Sequence, residues 1–495
     1  MLARTLERIA AGNRKWRDFT LISLSRALTE TLAAFTVYRT YFREGEKQDE
    51  HDVRRVRLAI ETARAKNPSL SGTLFCFLEE LLLLRTEGSD EQRREHVRFA
   101  LRFQQLCGPV MAKAVEDTAF YRYVRLTCLN EVGGLPSSFG TSIEEFHRQN
   151  AERTRSWPRS MTTTSTHDTK RGEDASARIA VLSEMPHEWR RAVLRWSEMA
   201  RIARNSQDGG PLPSRVHEYL FYQTLVGAWP YGWDGQIGRA EFSARMVAFL
   251  LKAAREGKEQ TSWTNPRQAY EEALTKFAEQ LLTSDAFLDD ARSFCEALAP
   301  YAAANGLAQT VLRLCSPGVP DTYEGSELWN QALVDPDNRQ PVDFERRRSA
   351  LREIKERSDD RRALVRDLLQ NFTDGRIKLY VLYVALMARR QHRDLFLRGD
   401  YEGLASGENV VTFARSLGAE RLICAAARLS YVRTQGKTPW LVGPAWGHER
   451  LRVPYGGRYT NLFTGASISI VKEASLADIF ADLPVALLLR EGKGG

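Results

Sequence analysis

The 495-residue sequence predicts an α/β protein of large helical content with a β-rich C-terminal part. Three observations predict this. Most of the chain repeats apolar residues at helical spacing. One short β-branched run, within Ser160–Asp174 (SMTTTSTHDTKRGED), ends in a charged loop. From about Asn409 the texture changes to short apolar runs between turn residues.

The first helical stretch covers residues 1 to about 45, where Leu21, Leu24, Leu28, Leu32 and Phe35 share one face and Asp18 is a candidate cap. A second runs from Asp52 until Pro68-Ser-Leu-Ser-Gly breaks it. Phe75–Leu84 is dense in apolar residues and predicts a buried helix, and Glu91–Arg102 continues the helical pattern. Gln105–Pro136 is different. It mixes Lys113, Glu116, Asp117, Tyr121, Arg122, Asn130 and Glu131 with aromatics and glycines, where an amphipathic helix would segregate them. A helix–turn–helix with internally paired charges and a polar wall facing a sugar both fit that composition.

The Thr/Ser run reads as a strand, and His167, Asp168, Lys170 and Arg171 as the loop at its end. In a β/α barrel, catalytic groups collect at the C-terminal ends of strands. Taken alone, the His-Asp dipeptide suits a surface loop, with Asp168 paired to Lys170 or Arg171, better than it suits a site. Ala175–Asn205, Val216–Trp229 and Ala240–Lys258 predict helices, with a turn at Asp208-Gly-Gly-Pro-Leu-Pro, a break at Thr261-Ser-Trp263 and another helix from Asn265-Pro266. Leu307–Leu314 is a short apolar run, read as the last barrel strand. The loop after it, SPGVPDTYEGSELWNQALVDPDNRQPVDF, is rich in Asp, Tyr, Trp and Arg. A long polar loop after a strand is a functional candidate, although it would also serve as a plug at the barrel rim. Helices follow at Arg346–Arg366 and Gly375–Arg390. Val410–Phe413, Leu422–Ala427, Leu441-Val and Pro484–Leu489 then predict strands of a small C-terminal β-sandwich.

The net charge of +8 is small for this length, and basic stretches such as Glu345–Arg366 carry interleaved acids. They read as solvated helix faces, so no nucleic-acid groove is expected. The six cysteines, at 76, 107, 128, 295, 315 and 424, form no CxxC pair, which suits buried thiols in a reducing compartment. The N-terminus MLARTLERIAAGNRKWRD lacks an apolar signal core, and the longest apolar run, Leu379–Ala388, is too short to span a bilayer. A cytoplasmic protein without membrane partner, metal or cofactor is therefore expected.

Seven segments together resemble the C-terminal part of the maltooligosyltrehalose synthases, glucosyl mutases of the α-amylase family. They are DFTLISLSRAL…VYRTY (18–41), GPVMAKAVEDTAFYRY (108–123), LNEVGG (129–134), STHDTKRGED (165–174), PLPSRVHEYLFYQTLVGAWP (211–230), residues 316–344, and DGRIKLYVLYVALMARRQHRDLF (374–396). The resemblance implies the last strands of an amylase-type β/α barrel with helical insertions. The implied divisions are 1–159, helical and preceding strand seven; 160–175, strand seven and its loop; 176–300, a helical insertion; 301–405, the last strand, a substrate loop and helices; and 406–495, the β-rich domain. It also implies conversion of the reducing-end α-1,4 link of a maltooligosaccharide to an α,α-1,1 link by a retaining mechanism. In that chemistry Asp168 stabilises the transition state beside His167. Lys170, Arg171, Lys113, Glu116, Glu131, Trp263, Asp321, Tyr323, Asp335, Asp337 and Arg339 are the expected substrate contacts.

The sequence departs from the family pattern in one large respect. The nucleophile and general acid, which the resemblance places on strands four and five, have no matching motif in this chain, and Glu116, Asp117 and Glu131 fall outside the segments that carry them. Smaller departures are Ala114 and Leu135, where Gly and Asp are expected. The chain is thus expected to be a truncated form acting with a complementing N-terminal chain. The alternative is an inert homologue serving as a carbohydrate-binding scaffold. An unrelated helical interaction protein fits poorly, because the motifs occur in family order.

Overall fold

The structure is a computed structural model, and it describes residues 1–85, 88–201, 205–207 and 210–492. The tip of the turn expected at Asp208 and the last three residues of the EGKGG tail lie outside them. The chain forms two compact units, Met1–Phe120 and Tyr121–Gly495.

The first unit is helical: Leu2–Ala11, Leu21–Ala33, Glu50–Lys66, Gly72–Leu82 and Asp90–Met111. The single helix expected over 1–45 is two, broken at residues 12–20, and residues 34–49 carry no helix. The cap of the second helix is Thr20, not Asp18: its side chain accepts from the Ser23 N–H. Ser89 and Gln92 form a reciprocal capping box at the fifth helix. The expected buried apolar helix lies at Gly72–Leu82, with Phe75, Phe77, Leu78 and Leu81 fully enclosed. The unit closes in a π-helical segment, Ala112–Ala119.

The second unit is built around one long helix, Asp285–Cys315. It packs against the Glu173–Val181 and Arg376–Gln391 helices and against the C-terminal sheet. Leu307–Leu314, expected as a strand, is the last part of this helix. Every residue of the run, Gln309, Thr310 and Arg313 included, is buried or half-buried, so no exposed face imposes a period to tell helix from strand. The actual strand there is Val319–Pro320. It pairs in parallel with Met161–Thr162, with Met161 opposite Val319 and Thr162 opposite Pro320. Further helices cover Pro186–Met199, Arg215–Ala228, Arg239–Gly257 and Gln268–Thr283, and Asn205–Gln207 pairs with Gly210–Leu212.

The β-rich end differs in form from the expected two-layer sandwich. It is one six-stranded antiparallel sheet in the order 467–470, 457–461, 485–490, 420–427, 410–417, 400–403, with a separate ribbon of 450–452 and 473–475. Alternate residues face opposite sides of a strand. Leu422, Cys424 and Ala426 therefore meet the helical core, while Ile423, Ala425 and Ala427 meet Trp446 and Leu451 beneath the ribbon. Leu441-Val lies outside the strands. All six cysteines are free; Cys76 is exposed and Cys128 half-buried, so only four follow the expectation of buried thiols. Among the described residues, no helix is long and apolar enough to cross a membrane.

Candidate functional site

The two parallel strands run side by side, so the loops after them leave from the same end. Val319 N–H donates to Ser160 O at 2.9 Å and Asp321 N–H to Thr162 O at 2.8 Å. The first loop carries His167 and Asp168, and the second carries Asp321, Tyr323, Asp335, Asp337 and Arg339. Backbone contacts fasten the loops along their length. Gly172 N–H donates to Ala332 O at 2.8 Å and Asp174 N–H to Asn330 O at 3.2 Å, and Arg171 bridges Leu333. Asn338 donates from its amide to His167 O at 3.1 Å and to Thr166 O at 3.4 Å. Gly172 is required for this approach, since a Cβ there would stand 2.4 Å from Asn330 Oδ1.

His167 and Asp168 are exposed on the rim so formed. The next three residues, Thr169, Lys170 and Arg171, turn inward and are buried. The Lys170 N–H donates to the Glu131 carboxylate at 2.9 and 3.0 Å, and its ammonium lies 5.9 Å from the Tyr121 ring centre. Arg171 donates to Thr127 O at 3.2 Å and lies 5.6 Å from the Phe249 ring centre. Arg171 thus supports the loop from below. Glu131, which also accepts from Val132 N–H, underpins the same loop, and burial pushes its carboxyl up against the pull of these N–H donors.

The second loop is held by cations that the sequence reading passed over. Arg245 binds Asp337 through two nitrogens, at 2.8 and 2.9 Å, and Asp337 also accepts from Leu333 N–H at 2.7 Å. Lys252 donates to Asp335 Oδ1 at 2.6 Å and to its carbonyl at 2.8 Å. Burial would raise the Asp335 carboxyl, but Lys252, Arg339 and Lys170 outweigh it and hold it below the usual range. Arg339 stands 3.9 Å from Asp335 and is half exposed. Tyr323 donates to Asn338 O at 3.3 Å, and Asp321 lends its carbonyl to Arg313.

Two grooves flank this loop and share Ala244, Arg245, Asp337 and Gln340. One, of about 510 Å³, is lined by Phe249, Lys252, Trp263, Val334, Asp335 and Pro336 among others. Trp263 is 55% exposed there, with the Arg255 guanidinium 4.8 Å from its ring centre. The other, of about 500 Å³, includes Trp329, Asn330, Gln331 and Asn338. A half-exposed indole beside fixed carboxylates, amides and cations can stack on a sugar ring and hydrogen-bond its hydroxyls. Lys113 and Glu116 belong to the first unit, where Lys113 pairs with Asp117 and Glu116 accepts from the Tyr38 hydroxyl.

No family model matches the chain. A curated protein of Mycobacterium tuberculosis, provisionally named maltooligosyl trehalose synthase, is 39% identical over 396 residues, covering 79% of this chain and 46% of its own length. The structure of maltooligosyltrehalose synthase from Arthrobacter ramosus aligns with 99% of this chain and 56% of its own, at a TM-score of 0.78 and 33% identity. A hypothetical maltooligosyl trehalose synthase of Sulfolobus tokodaii aligns with 99% of this chain and 58% of its own, at a TM-score of 0.68 and 25% identity. Fold and sequence thus define a homologue of trehalose-forming synthases. The chain is homologous to part of the maltooligosyl trehalose synthases, and it spans about half the length of the relatives it matches.

Proposed function

We propose that this chain supplies the C-terminal portion of a maltooligosyl trehalose synthase site, in which Asp168 stabilises the transition state and the grooves beside Asp335–Arg339 hold the oligosaccharide. The observation that carries this reading is the union of two loops at the same end of two parallel strands, where barrel sites form. Positive charge develops at the anomeric carbon as a glycosidic bond breaks, and a fixed carboxylate near it lowers the barrier. Asp168 sits on the open rim, where a sugar can approach it. His167, Lys252, Arg339 and Trp263 would then bind hydroxyls and ring faces. The nucleophile and general acid come from a complementing N-terminal portion. Intramolecular transfer requires water to be kept out while the released glucose turns, and the helices flanking the 316–344 loop would serve as that wall.

The test is a product assay with maltopentaose on the chain alone and on the chain mixed with an N-terminal fragment of a related synthase. A non-reducing product in the mixture alone, lost in Asp168→Asn, is the expected result. Product from the chain alone would overturn the need for a complementing portion. No product from either, with sugar binding retained, would favour the scaffold alternative.

A further inference from the structure

The two loops of the candidate site meet at their roots on one buried cation. Lys378 lies in the Arg376–Gln391 helix, within the otherwise apolar run IKLYVLYVAL, and is 1% exposed. Its Nζ is 2.6 Å from Glu173 Oε1 and 2.6 Å from Asp174 Oδ2. Each carboxylate reaches a different loop. Glu173 accepts from the Thr164 hydroxyl, at the start of the stretch that presents His167 and Asp168. Asp174 Oδ2 accepts from Asn330 N–H at 2.6 Å, at the start of the stretch that presents Asp335 and Asp337. Lys378 also donates to Leu328 O at 3.3 Å. The other groups facing this cluster are Arg313, whose charge acts on Glu173 and Asp174, and the phenol of Tyr231, near Asp174.

A buried ion cluster is a poor source of net stability. Removing charges from water costs about as much as their pairing returns, and well-packed apolar residues do as well or better. What such a cluster does supply is direction, because hydrogen bonds to charges are short and fix both partners. Here they fix two segments that are more than 150 residues apart in sequence (156 between Asp174 and Asn330). We propose that Lys378, acting through Glu173 and Asp174, is a positioning residue that sets the Asp168 loop against the Asp335–Arg339 loop. Its functional meaning rests on the reading that these loops together bind oligosaccharide. The carboxylates do not touch that ligand; they set the separation of the groups that would.

The proposal predicts coupled loosening. In Lys378→Met, hydrogen exchange should accelerate at least tenfold in residues 164–171 and 330–339 together, while the central strands 410–417 and 420–427 keep wild-type rates. Thr164→Val cuts only the Glu173 arm and should loosen 164–171 while leaving 330–339 unchanged. Maltopentaose binding, followed by tryptophan emission, should weaken at least tenfold in Lys378→Met. Unchanged exchange in either loop of Lys378→Met would overturn the proposal, as would equal acceleration in the sheet, which marks general destabilisation. If Lys378→Met fails to fold, Thr164→Val decides alone: no change in 164–171 overturns the proposal. A wild-type chain that does not bind maltopentaose, but whose Lys378→Met variant loosens both loops, would sink the sugar-binding reading and leave the positioning role standing. Equal sugar affinity in wild type and variant would overturn the positioning role in binding.

Discussion

Gly306 tests whether the buried cluster is as tightly set as its distances suggest. It lies inside the Asp285–Cys315 helix, where Gly→Ala normally stabilises by about 1 kcal/mol. A Cβ at Gly306 would stand 2.6 Å from Asp174 Oδ1 and 3.0 Å from Trp329 Cζ3. Neither atom is the loose end of a mobile side chain. The Asp174 carboxylate is pinned by Lys378 and by Asn330 N–H, each at 2.6 Å, and the Trp329 indole N–H is pinned to Phe372 O at 2.6 Å. Relief requires stretching a charge-assisted hydrogen bond or moving the helix. Overpacking of this kind costs about 1–3 kcal/mol, and weakening a hydrogen bond to a charged group adds about 1–2 kcal/mol. Setting these against the helix gain leaves Gly306→Ala less stable by about 2 kcal/mol. Gly257→Ala is the contrast. That residue ends the Arg239–Gly257 helix, its Cβ would meet only Tyr121 atoms at 3.8 and 3.9 Å, and the substitution should be neutral or stabilising by a few tenths of a kcal/mol. The assay is urea unfolding followed by tryptophan emission, which reports on the second unit because Trp16 is the only tryptophan before residue 121. At a slope of about 3 kcal/mol/M the expected midpoint shift for Gly306→Ala is about −0.7 M. A variant as stable as wild type would refute the claim that the carboxylate is fixed in place.

Three further outcomes follow from the same structure. Trp263→Ala should weaken maltopentaose binding roughly tenfold, since covering the exposed half of an indole is worth about 1–2 kcal/mol; unchanged affinity by calorimetry would remove Trp263 from the site. Burial lowers the His217 imidazole to about 4, with Nδ1 2.9 Å from Ser214 Oγ and 2.6 Å from the Tyr270 hydroxyl. The unfolded chain therefore binds the proton first, and the His217 contribution is whole above about pH 6.5 and is lost as the pH falls toward 4, by about 3 kcal/mol in all. His217→Gln should flatten the pH dependence of the unfolding midpoint between pH 7 and 4.5, and an unchanged dependence would contradict the assigned burial. Arg245→Ala removes both bonds to a largely buried Asp337 and should cost about 2 kcal/mol and accelerate hydrogen exchange at 331–339; unaltered exchange there would show the loop is held by other means.

What could be seen in the sequence divides along a physical line. Helices with a wet face announce themselves: Glu50–Lys66 and Arg239–Gly257 fall within a few residues of expectation because solvent imposes a period on them. Leu307–Leu314 has no wet face, and so its helical state left no trace in the pattern. The true strand beside it, Val319–Pro320, is two residues long and follows Pro317-Gly318, a composition that reads as a turn. Residue type marked two loops that the structure brings together, but not which way each group points. His167 and Asp168 reach the rim, while Arg171 of the same short run lies beneath it, 4% exposed. The partners Arg245, Lys252 and Lys378 were hidden because each lies on a distant helix. Yet Lys378 had a signal of its own. One lysine inside IKLYVLYVAL must either face water, breaking the apolar surface of its helix, or find an anion in the core, since a lone buried ammonium is too costly to keep. Gly172-Glu173-Asp174, two acids at the start of a helix next to the candidate loop, had the complementary problem. Matching unpaired charges across apolar runs would have joined them, and with them the roots of both loops, before any coordinates were known.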